Sequence, residues 1–169
     1  MTMPLVIRSI TYAEAIVAST WRYPGPYAIY DSEPSDRQRF LLPEYRYHAV
    51  LDGGDPIGYC CFGPDARVPG GSYPDDALDV GAGMRPDLVG RGHGRIFLTA
   101  ILDFAANTYA PRAFTATVAA FNHRALATCH SVGFTELSRF TSTGDDPRDF
   151  VIFCAAPGEP VVPVDGGPA

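Results

Sequence analysis

Positions 79 to 96 read Asp79-Val80-Gly81-Ala82-Gly83-Met84-Arg85-Pro86-Asp87-Leu88-Val89-Gly90-Arg91-Gly92-His93-Gly94-Arg95-Ile96. An apolar, strand-like run ends at a proline. A basic turn follows, with glycine at every second position from Gly90 to Gly94. The turn opens into a helical pattern. Glycine lets a backbone approach its ligand closely. The first turn of a helix supplies unpaired N–H groups and the positive end of the helix dipole. Together they make an anion site, suited to a phosphate-bearing ligand.

Three phosphate-binding readings compete for this turn. A dinucleotide fold places Gly-x-Gly-x-x-Gly after its first strand, with an acidic residue about 20 positions on. Here the spacing is Gly90-x-Gly92-x-Gly94, the turn is mid-chain, and no such acid follows. A Walker A loop requires Gly-Lys-Ser/Thr, which is absent. The third reading joins the turn to a later segment, Asn122-His123-Arg124-Ala125-Leu126-Ala127-Thr128-Cys129-His130-Ser131-Val132-Gly133-Phe134. The two segments, in this order and with a strand pattern between them, resemble motifs A and B of the GNAT family of N-acetyltransferases. Gly92 and Gly94 match the two diagnostic glycines of motif A, and Met84-Arg85-Pro86 matches its apolar-x-Pro strand ending. Val89 stands where the family carries Gln or Arg. Asn122, Arg124, Ala125, Gly133 and Phe134 match motif B in register, and Cys129 occupies its tyrosine position.

The resemblance implies acetyl transfer from acetyl-CoA directly to a primary amine of a small molecule or a peptide N-terminus. It places the pyrophosphate against residues 89–95 (Val89, Gly90, Arg91, Gly92, His93, Gly94 and Arg95), with Asn122 and Arg124 nearby. The strand before the turn splays from its neighbour and admits the pantetheine arm. A backbone N–H of Gly83 or Met84 polarises the thioester carbonyl, an oxyanion-type stabilisation. The family's motif B tyrosine protonates the leaving thiolate. Cys129 inherits that position, and a thiol with its ordinary pKa of about 8.5 is a weak substitute.

In the family a general base, often a carboxylate acting through water, takes the proton of the attacking amine. Asp79, at the start of the cofactor strand, is the candidate; its plainer reading is a solvated strand-end carboxylate. Glu44 and His48 are alternatives, with surface or strand packing as their plainer role. Trp21, Tyr23, Tyr27 and Tyr30 form an aromatic run that can wall an acceptor site, with Asp31 and Glu33 beside it to attract an ammonium group. Lid or core packing explains those rings equally well. His123 and His130 lie two helical turns apart, about 10 Å, too far to share one zinc ion, so no metal is expected.

These residues must be positioned by a framework that the patterning outlines. Strands are expected at 5–10, 45–52, 57–62, 78–85, 113–119, 134–141 and 149–154. Thr11-Tyr12-Ala13-Glu14 is a capping box that opens a short helix through Ser19. Ser35-Asp36-Arg37-Gln38 predicts a second short helix ending before Pro43. Residues 94–108 form an amphipathic helix with Ile96, Phe97, Ala100, Ile101 and Phe104 on its apolar face. Residues 122–132 form another, closed by Gly133. The fold class is thus α/β: a single GNAT-like domain over 1–155, with a mixed, mostly antiparallel sheet flanked by helices and splayed at the acetyl-CoA cleft. Residues 156–169, rich in Pro, Gly and Val, are expected to be a flexible tail.

Composition narrows the classes. The 169 residues suffice for one core, and 46% hydrophobic with 19% charged residues is ordinary for a globular chain. A net charge of −6 weighs against nucleic-acid binding. No apolar run is long enough to cross a membrane. Four cysteines without paired spacing, and a start lacking a signal-like apolar region, predict a cytoplasmic protein with free thiols. Two rival functions remain: a non-catalytic acyl-CoA-binding or sensing domain, and a nucleotide-dependent oxidoreductase. A homodimer with a shared acceptor site is a third arrangement the sequence leaves open.

Overall fold

The computed structural model describes Met1 and residues 4–158. Seven strands, β1 (Val6–Ser9), β2 (His48–Asp52), β3 (Asp55–Phe62), β4 (Leu78–Met84), β5 (Phe114–Ala119), β6 (Thr135–Thr141) and β7 (Asp149–Ala155), form one sheet in the order β1-β2-β3-β4-β5-β7-β6. Every neighbouring pair is antiparallel except β4 and β5, which run parallel. The helices are α1 (Tyr12–Ser19), α2 (Gly94–Tyr109) and α3 (His123–Ser131). The result is a mixed α/β fold, as the patterning implied.

Local chemistry fixes the ends of these elements. The Thr11 side chain accepts from the Glu14 N–H, and Glu14 returns a carboxylate to the Thr11 N–H, so the capping box forms. β2 and β3 turn at Gly53 and Gly54, both at positive φ (56° and 87°), the backbone that a two-residue hairpin requires. Asn122 caps α3 by accepting from the Ala125 N–H at 3.1 Å.

The second short helix is not formed. Residues 34–45 make three 3-10 turns instead, Pro34–Arg37, Arg39–Leu41 and Pro43–Tyr45. The cap lies earlier than expected: Glu33 and Asp36 exchange the capping bonds. Pro34 then starts a turn at a position that tolerates it, and Pro43 ends the run before an α-helix can propagate. The part of the expected tail from residue 159 onward lies outside the described residues.

The sheet separates two apolar clusters. On one face Phe97, Leu98, Ile101 and Ala105 of α2 pack with Val80, Phe114, Ala116, Val118 and Cys129. Ile96, expected on that face, is 37% exposed, and Leu98 takes the buried position instead. On the other face Ala15 and Ala18 of α1 pack with Phe40, and Trp21, Tyr47 and Tyr59 lie against them. Tyr59 and Cys60, adjacent on β3, serve opposite clusters, as strand alternation demands.

Candidate functional site

The parallel pairing of β4 with β5 covers only Leu78, Asp79 and Val80 against Phe114, Thr115 and Ala116. Beyond that point β4 stays with β3, through Gly81↔Cys61 to Met84↔Gly58. β5 stays with β7, through Thr117↔Ile152 to Ala119↔Phe150. The strands therefore diverge, and backbone groups of residues 81–84 and 117–119 face a gap rather than each other. Backbone N–H and C=O groups require partners, so such a gap suits a ligand that carries amides of its own.

The gap opens into a cleft of ≈ 550 Å³. That lies within the range of cofactor and small-molecule sites, about 300–1,000 Å³. One wall is the glycine turn. Gly90 and Gly92 hold φ of 77° and 81°, conformations that side chains disfavour. Phe97 N–H is bonded to His93 O at 3.0 Å. The amides of Gly94, Arg95 and Ile96 precede it and have no intrahelical acceptor, as at any helix start. α2 and α3 meet closely here: a Cβ on Gly94 would stand 2.8 Å from Thr128 Oγ1, and one on Gly90 would stand 2.7 Å from Arg124 Nη1.

Arg124 links the turn to the opposite wall, because its guanidinium also lies over the Tyr27 ring at 4.4 Å. Tyr27 packs edge-on against Phe121, and Tyr23 against Tyr30. Tyr23 donates its hydroxyl to Met84 O at 2.7 Å, which fixes the end of β4. Burial, and then the charge of Asp31, push the Tyr23 phenol well above its ordinary pKa, so it remains a donor. Asn122 Nδ2 donates to the Tyr30 hydroxyl at 3.1 Å. Asn122→Ala is expected to cost about 1 kcal/mol through the lost cap. The same change should weaken ligand binding in the cleft several-fold by freeing Tyr30. Denaturant melts and ligand titrations separate the two effects.

Of the residues singled out in the sequence, Gly83, Met84, Val89, Gly90, Gly92, Gly94, Asn122, Arg124, Tyr23, Tyr27, Tyr30 and Cys129 line this one cleft. Arg91, His93 and Arg95 belong to the same turn but not to the lining; Arg91 and Arg95 are exposed, and His93 is the N-cap position of α2. Trp21 lies elsewhere, stacked on Tyr59 at 5.9 Å. Asp79 is buried rather than solvated: it receives Arg67 Nε at 2.6 Å and the Thr115 hydroxyl. His48 packs against Phe62 and Phe104, and burial lowers its pKa. Glu44 sits exposed in the turn Pro43–Tyr45. Burial pushes the Cys129 thiol up to about 11. Thr117 and Thr128 also line the cleft. Thr128 had a visible signal, its four-residue spacing from Arg124 on one helix face.

A family model described as the acetyltransferase (GNAT) family matches residues 13–134. Solved structures with the same fold include an acetyltransferase of that family from Bacillus anthracis, 13% identical with a TM-score of 0.70, the match covering 90% of this chain and 94% of that one. A spermidine N-acetyltransferase chimera from Vibrio cholerae is 16% identical with a TM-score of 0.68, covering 90% and 95%. An aminoglycoside acetyltransferase in complex with coenzyme A is 16% identical with a TM-score of 0.70, covering 90% and 95%. No curated protein matches the sequence.

Proposed function

This chain belongs to the acetyltransferase (GNAT) family, and from that premise we propose how its own residues serve the transfer. The activity is N-acetyl transfer with acetyl-CoA as co-substrate. Acetyl-CoA supplies the activated acyl group as a thioester. The observation that carries the residue assignment is the single cleft in which a strand gap and a glycine-rich helix start meet. The amides at the start of α2 and the Arg124 guanidinium would hold the pyrophosphate. The unpaired edges of β4 and β5 would accept the pantetheine amides. Gly83 or Met84 N–H would face the thioester oxygen, and Tyr23 would hold that strand end still while negative charge develops there.

The amine attacks as the free base, forms the amide bond and expels the thiolate, and its proton leaves to water or a carboxylate. Cys129 faces the cleft with a thiol pKa near 11. A proton passed from it to a thiolate of ordinary pKa, about 8.5, moves uphill by about 3 kcal/mol. Cys129 is therefore assigned to packing, and the proton released by the attacking amine neutralises the leaving thiolate through solvent. Cys129→Ala should keep turnover within about threefold and lose roughly 1–2 kcal/mol of stability. A drop of a hundredfold or more, with the fold intact, would give the thiol the acid role.

Free thiols, buried at Cys60, Cys61 and Cys129, fit a cytoplasmic enzyme. Among the described residues no helix is long and apolar enough to cross a membrane. Calorimetric titration with acetyl-CoA, with NADH as control, tests the site. Saturable binding of acetyl-CoA alone supports the assignment. Binding of NADH instead would place the phosphates of a different cofactor at the turn. Acetyl-CoA binding without turnover on any amine would favour the sensing-domain alternative.

A further inference from the structure

Tyr30 closes the 3-10 turn Gly25–Tyr30 and lines the cleft. Its hydroxyl oxygen accepts from Asn122 Nδ2 at 3.1 Å. That direction is fixed, because Asn122 Oδ1 is spent on the Ala125 N–H at the start of α3. Turning the amide over would break the cap. The Ala119 N–H, on the β5 edge of the gap, bonds the same oxygen. A phenol oxygen that accepts twice must direct its single proton elsewhere. Both acceptor bonds come from β5 and α3, so the O–H is turned toward the cleft. Other cleft hydroxyls are committed: Tyr23 donates to Met84 O, and Thr128 to Arg124 O.

The depth of this hydroxyl in the cleft follows from the strand register. Asp79 pairs with Thr115 and Val80 with Ala116 before the strands part. Carried past the fork, the same count sets Ala119 level with Gly83. The Tyr23 and Tyr30 rings pack edge-on at 6.5 Å. One is tied to Met84 O on the β4 edge, the other to Ala119 on the β5 edge. The pair therefore bridges the seam at the level where a Gly83 or Met84 N–H is proposed to meet the thioester oxygen. A thioester there has the β4 amides on one side and the Tyr30 hydroxyl on the other.

We infer that the Tyr30 hydroxyl is an aimed hydrogen-bond donor to the coenzyme sulfur, stabilising the thiolate as it leaves. The assignment rests on the acetyl-transfer reading of the cleft. In the transfer the amine nitrogen bonds the acyl carbon, the C–S bond breaks, and its electron pair passes to sulfur. The thiolate then takes the amine's proton through solvent, and Tyr30 keeps its own. Burial raises the phenol's pKa above its ordinary value, against the smaller opposing effect of the Asn122 and Ala119 donors. A hydrogen bond to a charged acceptor is stronger than one to a neutral atom, so the contact gains strength as charge gathers on sulfur. Tyr30 thus belongs to the chemistry rather than to an acceptor wall.

Coenzyme A and desulfo-coenzyme A, which carries hydrogen in place of the thiol, test the contact without an amine acceptor. Each is titrated calorimetrically at about pH 7 and at about pH 9.5, above the ordinary thiol pKa of about 8.5. The wild type should prefer coenzyme A more strongly at the higher pH, where the thiolate forms and the phenol is still protonated. Tyr30→Phe keeps the ring and should lose about tenfold of coenzyme A affinity at about pH 9.5, while desulfo-coenzyme A binds within about twofold of wild type. Asn122→Asp keeps the cap acceptor but offers Tyr30 a carboxylate, which draws its proton away from the cleft. It should lose the same preference with the phenol in place, and adding Tyr30→Phe should change that preference no further. A wild-type preference that does not rise with pH, a preference unchanged in Tyr30→Phe, an equal loss for both ligands, or multiplied losses in the double variant would each overturn the assignment and leave the coenzyme site standing. Failure of the wild type to bind coenzyme A would remove the transfer reading itself, and this role with it.

Discussion

Gly92→Glu is expected to lower acetyl-CoA affinity at least about a hundredfold, or about 2.7 kcal/mol, while the protein stays folded. Gly92 holds a φ of 81°, and a Cβ there meets no heavy atom within 4 Å. A side chain therefore costs backbone strain of roughly 1–2 kcal/mol but no collision. A carboxylate at that place adds negative charge beside the start of α2 and Arg124, the positive groups proposed to hold the pyrophosphate. Gly92→Ala carries the same strain without the charge or the length. It should lose similar stability yet bind acetyl-CoA within about tenfold of wild type. Calorimetric titration of both variants, with a denaturation curve for each, makes the comparison. Equal binding by Gly92→Glu and wild type would mean that the phosphates lie elsewhere.

Asp79→Ala should cost about 2–3 kcal/mol of stability, seen as a fall in Tm of about 5–10 °C. The Asp79 carboxylate is 4% exposed and joins Arg67 to the Thr115 hydroxyl at the last paired residues before the strands diverge. Removing it leaves Thr115, itself 1% exposed, with an unsatisfied hydroxyl. Arg67 is partly solvated and recovers water, which keeps the cost below that of a fully buried broken pair. Asp79→Asn retains one acceptor oxygen and separates structure from proton transfer. We expect its turnover within about threefold of wild type and a pH–rate profile of unchanged shape. Loss of a general base would instead cost about 10²–10⁴ in rate. A drop of that size in a stable Asp79→Asn protein would restore the carboxylate to the chemistry.

These two residues also show what could be read in advance. The glycine turn was legible as a structural feature because it is local: Gly90, Gly92 and Gly94 and the start of α2 are contiguous in sequence. Motif B was legible for the same reason, since Asn122 caps its own helix. Asp79 was not, because its partners lie 12 residues before it, in a loop, and 36 residues after it, on β5. Trp21 shares a sequence run with Tyr23, Tyr27 and Tyr30 yet is absent from the cleft they line and stacks on Tyr59 instead. The chain between them is extended at Pro24 and bends at Gly25, φ 58°, which no side-chain pattern encodes. The place of Tyr59 depends on the β3–β4 register, which sets it opposite Gly83. The missing second helix was a matter of competing signals, in which Pro34 and Pro43 outweighed a plausible capping pattern at Ser35.

The divergence of β4 from β5 after three residue pairs leaves a seam in an otherwise continuous sheet. In deuterated solvent, amides that point into that seam between residues 81–84 and 117–119 should exchange fast, at a depth where their neighbours on β3 and β7 exchange slowly. A ligand that bridges the seam closes it as a further strand would. The change in deuterium uptake along those two short segments would then trace its path through the protein without any assay of its chemistry.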